Sequence, residues 1–92
     1  MASVIVTMKI MPESVETVLN DLQENIKQEI SNFCGETEIR FTEEPIAFGL
    51  KSLNTTFVMN EEKGSTEELE KSISNAKGVN SVEVTDIRRT IG

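Results

Sequence analysis

Glu43-Glu44-Pro45-Ile46-Ala47-Phe48-Gly49-Leu50-Lys51-Ser52-Leu53 stands at the middle of the chain. A strand-like alternation leads into it and another leads out, with a helical pattern beyond each. A two-residue hairpin connection would carry Asn-Gly or Asp-Gly. Here a proline is followed by Ile46, Ala47, Phe48 and Gly49, all apolar or small. An apolar loop tip on a small domain either folds back on the core or touches a partner.

Upstream of this loop, Glu36 to Glu43 alternates, with Ile39 and Phe41 on one face and Glu38, Arg40 and Thr42 on the other. This strand ends at Glu44-Pro45. Downstream, Leu53, Thr55, Phe57 and Met59 share one parity and Ser52, Asn54 and Thr56 the other, with Val58 as the exception. That strand ends at Asn60-Glu61-Glu62-Lys63-Gly64. Farther out, Val15, Val18, Leu19, Leu22, Ile26, Ile30 and Phe33 recur at helical spacing. They predict a helix over Ser14 to Asn32, with Ser14 as N-cap and Gly35 in the left-handed conformation that ends it. On the other side, Ser65-Thr66-Glu67-Glu68 matches a capping box, with Ser65 as N-cap and Glu68 reaching back. Leu69, Ile73 and Ala76 give that helix its apolar stripe, and Gly78 stops it.

The two outermost segments are also strands. Val4, Val6, Met8 and Ile10 alternate with polar residues over Ser3 to Met11, and Pro12 stops the run. Val79 to Ile87 carries Val82 and Val84 on one face, and its pattern slips near Asp86-Ile87. The order is therefore β-α-β-β-α-β, which predicts an α+β, ferredoxin-like split βαβ fold. Right-handed crossovers put both helices on one face of a four-stranded antiparallel sheet. The open face then carries Ser3, Thr7, Lys9, Ser52, Asn54, Thr56, Ser81, Glu83 and Thr85, with Ile5 and Val58 as apolar islands.

Ninety-two residues make one domain. The formal net charge of −7 argues against a grip on nucleic acid, which comes from Lys and Arg. The central strands offer no aromatic on the open face for stacking bases. There is no histidine, and Cys34 is the one cysteine, so paired-cysteine metal sites and internal disulfides are excluded. Cys34 reads as a small residue packed at a helix end, with no cation nearby in sequence to activate it. No run approaches the ~20 apolar residues of a membrane span, and no basic leader precedes Ser3. A reducing cytoplasm is the expected compartment. Glu43-Glu44 and Glu61-Glu62 flank strands as solvated charge, and no nucleophile–base pair suggests hydrolysis.

Pro45-Ile46-Ala47-Phe48-Gly49-Leu50-Lys51-Ser52-Leu53 with the strand after it resembles the signature of the elongation factor 1-beta guanine-nucleotide exchange domain family. The opening strand with its Met11-Pro12 stop is similar to the family's first strand. Gly78-Val79 and Ser81 to Arg89 are similar to its closing strand and tail. The resemblance spans the chain and is closest to the short archaeal form, the exchange domain alone. It implies an exchange factor for protein biosynthesis that is not itself an enzyme and carries no cofactor. Its partner would be the translation elongation GTPase, elongation factor 1-alpha, with bound GDP and magnesium. In eukaryotic members a lysine next to the C-terminus enters the magnesium site beside the nucleotide. Alignment through Ser81 to Ile87 brings Arg89 to that lysine, with Arg88 as the neighbouring candidate, both on a mobile end. The family's exposed aromatic corresponds to Phe48, flanked by Ile46, Gly49 and Lys51 as partner-binding residues. The rival expectation is a ferredoxin-like regulatory module that pairs through sheet edges and binds a small ligand without exchange activity.

Overall fold

The alternating segment at the start of the chain becomes β1 (Ser3–Pro12) in the computed structural model, which describes residues 3–35 and 37–90. Then come α1 (Leu19–Cys34), β2 (Ile39–Pro45), β3 (Lys51–Asn60), α2 (Glu67–Ser74) and β4 (Val79–Thr90), with short 3-10 turns at Ala47–Gly49 and Glu61–Lys63. The strands form one antiparallel sheet in the order β2-β3-β1-β4. Val6, Met8 and Ile10 of β1 and Leu53, Phe57 and Met59 of β3 turn to the same face. There they meet Leu22, Ile26 and Ile30 of α1 and Leu69 and Ile73 of α2. The two-residue period of the strands and the 3.6-residue period of the helices thus meet in one layer of apolar side chains. This is the expected α+β, ferredoxin-like arrangement.

The first helix starts later than its apolar spacing predicts. The Ser14 hydroxyl accepts from the Glu16 N–H (3.2 Å), and Thr17 Oγ1 accepts from the Ser14 N–H (3.3 Å). These local bonds, with Thr17 N–H donating to the Ser14 carbonyl (3.2 Å), close a turn that competes with the helix. Helical bonding begins only with Leu22 N–H to the Val18 carbonyl (3.1 Å). Val15 and Val18, expected on the buried stripe, are consequently 62% and 58% exposed. At the other end α1 runs to Cys34, and Gly35 takes the expected positive φ (79°).

Other boundaries move for local reasons. β1 stops at Pro12 as expected, with the proline itself as its last residue, pairing with Val79 across a register shift where its missing N–H is tolerated. β2 ends at Pro45 as expected but begins at Ile39 rather than at Glu36, which lies outside the described residues. α2 has Thr66, not Ser65, at its N-cap position. The Thr66 hydroxyl donates to Glu70 Oε2 (2.9 Å), while Ser65 Oγ accepts from the Glu67 N–H (3.1 Å). α2 ends at Ser74, and Gly78 (φ 89°) instead forms the turn into β4. The Gly78 N–H donates to Glu13 Oε1 (3.1 Å) and its carbonyl accepts from the Glu13 N–H (2.9 Å), so this turn is tied to the end of β1.

The open face of the sheet is polar, as expected, and Ile5 lies directly across from Val58 in the ladder. Ser52 departs from expectation: it is fully buried, with its hydroxyl 3.5 Å from the Glu44 carbonyl. On the core face, Thr55 is also fully buried, and its Oγ1 has no hydrogen-bond partner among the described residues. Cys34 donates its thiol to the Ile30 carbonyl (3.3 Å). Burial pushes the thiol pKa up, and the ammonium of Lys63, close in space though distant in sequence, opposes this more weakly.

Two stability predictions result. Thr55→Val keeps the side-chain shape and removes a hydroxyl buried without a partner. It should stabilise the fold by about 1 kcal/mol, seen as a higher urea midpoint; a lower midpoint would show that the hydroxyl is satisfied. The raised thiol pKa of folded Cys34 means that the unfolded chain ionises first. Its contribution is therefore complete below the unfolded thiol pKa and declines as pH rises through the thiol range. Iodoacetamide at pH 8 should alkylate Cys34 more slowly in the native protein than in the urea-unfolded chain, and equal rates would contradict the assignment.

Candidate functional site

The loop between β2 and β3 is closed by the strands themselves. Pro45 pairs with Lys51, the Ile46 N–H donates to the Leu50 carbonyl (2.7 Å), and the Leu50 N–H donates to the Ala47 carbonyl (3.2 Å). To turn in so few residues the chain takes left-handed conformations at both Phe48 (φ 62°, ψ 30°) and Gly49 (φ 78°). Glycine holds that conformation freely, but a phenylalanine is strained there by roughly 1–2 kcal/mol. The strain holds the aromatic ring out in solvent, where Phe48 is 94% exposed. Ile46 beside it is at the edge of exposure, and Lys51 Nζ lies 3.7 Å from Glu43 Oε1 across the base of the loop. A β-carbon built on Gly49 would sit 3.6 Å from Val15 Cγ1, so the β1–α1 turn packs directly under the tip.

The two arginines are organised by β4. Both were expected on a mobile end, but they are rungs of the ladder: Arg88 pairs with Ile5 and Arg89 with Val4. A bulge controls which way they face. Met8 pairs with Val84 and Thr7 with Asp86, so Thr85 is an extra residue in β4. This bulge is the physical cause of the pattern slip near Asp86-Ile87. From Ser81 to the bulge, odd-numbered residues face the open side; after it, even-numbered ones do. Arg88 therefore stands on the open face, its Nε 2.9 Å from Asp86 Oδ2. Arg89 stands on the helix side, where its Nη2 is 2.8 Å from Glu61 Oε1 and 3.0 Å from Oε2. Thr90 follows with its hydroxyl on the Ser3 carbonyl (3.1 Å), and Ile91 and Gly92 lie outside the described residues.

The sequence-predicted residues thus fall into two groups. Phe48, Ile46, Gly49 and Lys51 share one end of the sheet, with Pro12 and Val79. Arg88 and Arg89 share the other, with Val4 and Asn60. From the level of Lys51 to that of Arg89 is eight steps along the paired strands, on the order of 25 Å at about 3.3 Å per residue. The longest molecular extent is 42 Å, so the groups occupy opposite ends of an elongated body. No small ligand could touch both; a macromolecule could. Among the described residues, no group of three or more His, Cys, Asp or Glu is disposed to hold a metal ion. Nor is any helix among them long and apolar enough to cross a membrane.

Sequence reasoning missed two features. Glu61, the partner of Arg89, carried no local signal, because their meeting depends on Asn60 and Thr90 both pairing with Ser3. Sequence spacing alone assigns Val15 and Val18 to the buried stripe, because it continues that of Leu19 and Leu22, whereas both are exposed.

Comparisons with known proteins give the family. Residues 5–90 match the model of the EF-1 guanine nucleotide exchange domain. The chain is 43% identical over 89 residues to elongation factor 1-beta of Methanothermobacter thermautotrophicus, covering 97% of this chain and 98% of that protein. It is 44% identical over 92 residues to elongation factor 1-beta of Methanosarcina barkeri, covering 97% and 99%. Among solved structures, the de novo designed protein Foldit4 superposes with a TM-score of 0.66 at 18% identity, covering 98% of each chain, a likeness of fold alone. The strained aromatic tip and the part of the β4 ladder that carries Arg88-Arg89 both lie inside the matched span, and this chain belongs to the EF-1 guanine nucleotide exchange domain family.

Proposed function

We propose that residues 1–92 act as one guanine-nucleotide exchange domain that promotes GDP release from the translation elongation GTPase, elongation factor 1-alpha. The observation that carries this reading is the family match across residues 5–90. The geometry supports it. An exchange factor has to bind a large partner and disturb a site some distance from its main foothold. A rigid body with an apolar anchor at one end and a cation at the other suits that task. On this reading it needs no covalent chemistry of its own and is a non-enzymatic factor, and as a partner of the translation elongation GTPase it works in the cytoplasm.

Phe48 is the anchor. The left-handed backbone at Phe48 aims its ring away from the core, and exposed aromatic side chains of this kind are frequent interface hot spots. Ile46 and Gly49 shape the tip, and Lys51 stiffens its base. Arg89 is the disturbing group. Mg²⁺ tethers nucleotide phosphates to such GTPases and requires near-ideal octahedral oxygen ligation. A guanidinium brought beside it repels the ion and offers the phosphates a competing bidentate partner. Arg89 must first leave Glu61, but that pair is exposed, with side chains 69% and 41% accessible. Such pairs contribute only ~0–1 kcal/mol, so the exchange of partners is easy. Arg88, on the opposite face and paired with Asp86, takes the lesser part.

Two variants test these assignments separately. Phe48→Ala should leave the urea midpoint within about 0.5 kcal/mol of wild type, because nothing packs on the ring. It should nevertheless raise the concentration of factor needed for half-maximal GDP release. A loss of ~3–5 kcal/mol of stability would mean that the ring is core. Arg89→Ala should lower the maximal rate of GDP release in Mg²⁺ by about tenfold or more, roughly 1.4 kcal/mol of barrier. Undiminished release would move the role to Arg88 or to the loop.

A further inference from the structure

We infer that the β1–α1 turn, through Val15 and Val18, is a second foothold for the elongation GTPase, continuous with the Phe48 tip. It would engage an apolar surface of that partner rimmed by basic side chains. This rests on the exchange reading above and extends it. Of the six large apolar side chains exposed among the described residues, Phe48, Ile46, Val15 and Val18 lie at this one end. Scattered exposed apolar residues are ordinary, whereas a cluster marks a contact surface. The turn abuts the loop at Val15 and Gly49, with a small groove between them that Pro12 and Leu19 also line. On its far side Val18 edges a larger groove of about 600 Å³ that runs to Gly78.

The turn is also a defined shape rather than a frayed helix end. The bonds of Ser14, Glu16 and Thr17 fix it, and Glu13 ties it to the β4 entry at Gly78. Those bonds hold the valines out of the core although their spacing would allow a helix to bury them. The charge beside Val18 fits a basic rim, while Lys51, which lines the smaller groove at Val15, is itself paired with Glu43. Glu13, Glu16, Asp21 and Glu24 line the larger groove, against Lys77 as its one cation. An acidic surround speeds association with a positive partner and makes it salt-sensitive.

The experiment is a titration of the cognate GTPase–GDP complex, with Mg²⁺ present, by the full chain carrying Val15→Ser and Val18→Ser. Both side chains are more than half exposed, so the thermal midpoint should match wild type. Val15→Thr with Val18→Thr, which keeps the shape and adds only polarity, serves as the second variant. The expected result is a ~10-fold rise in the concentration for half-maximal release, equal to 1.4 kcal/mol of binding. The maximal rate should stay within about twofold of wild type, since Arg89 is untouched. If both valine variants match wild type while Phe48→Ala does not, the second foothold is overturned and the exchange reading stands. If the wild-type chain gives no acceleration at any concentration, the exchange reading fails and this inference falls with it.

Discussion

The alternation of β1 is the constraint on which the rest of the structure depends. Val6, Met8 and Ile10 are fully buried, and β1 pairs with β3 on one side and β4 on the other. A slip of one residue would turn all three side chains out of the core, so the hydrophobic effect holds the register of both ladders. Through the β3 ladder that register sets where the Phe48 loop stands. Through the β4 ladder it sets where Arg88 and Arg89 stand. The separation of the two groups, on the order of 25 Å, is thus set by the central strand, which pairs directly with Arg88 and Arg89 and reaches the Phe48 loop through β3.

The two ends are built by different physics. At the loop end, backbone strain at Phe48 and local hydrogen bonds in the Ser14–Thr17 turn keep apolar side chains in water that the core could have used. Strain of this kind persists where the surrounding structure over-determines it and commonly accompanies function. At the arginine end, strand alternation puts two adjacent cations on opposite faces of the sheet, and one extra residue in the ladder decides which cation takes which face. Each cation is matched to a carboxylate by a weak, exposed pair, so the charges are oriented without being locked. A rigid apolar foothold and a loosely held cation at a fixed distance suit a factor that binds in one place and acts in another.

Most of this was legible in the sequence where burial decides it. The element order, the sheet with its two helices, and the inward sets Val6-Met8-Ile10 and Leu53-Thr55-Phe57-Met59 all come from periodicity, which is the imprint of one buried face. Phe48 and its loop stood out because apolar residues between strands have no turn chemistry to justify them. Other features were misread because distant contacts or local bonds override periodicity. Val15 and Val18 follow the helical spacing of α1, but the hydroxyls of Ser14 and Thr17 claim the backbone first. The slip near Asp86 was visible, yet its meaning as a bulge at Thr85 required the pairing with β1. Glu61 became a partner of Arg89 only through three strands meeting at Ser3.

The claim that a cation of this domain acts on the partner's magnesium site is tested most directly by varying Mg²⁺. Release of fluorescent GDP from the cognate elongation GTPase would be followed at saturating factor, first in millimolar Mg²⁺ and then with the ion chelated. The account predicts a large acceleration with Mg²⁺ present and little further gain without it, because chelation has already removed the tether that Arg89 disturbs. Equal acceleration under both conditions would contradict the magnesium-directed role, and no acceleration under either would contradict the exchange function itself.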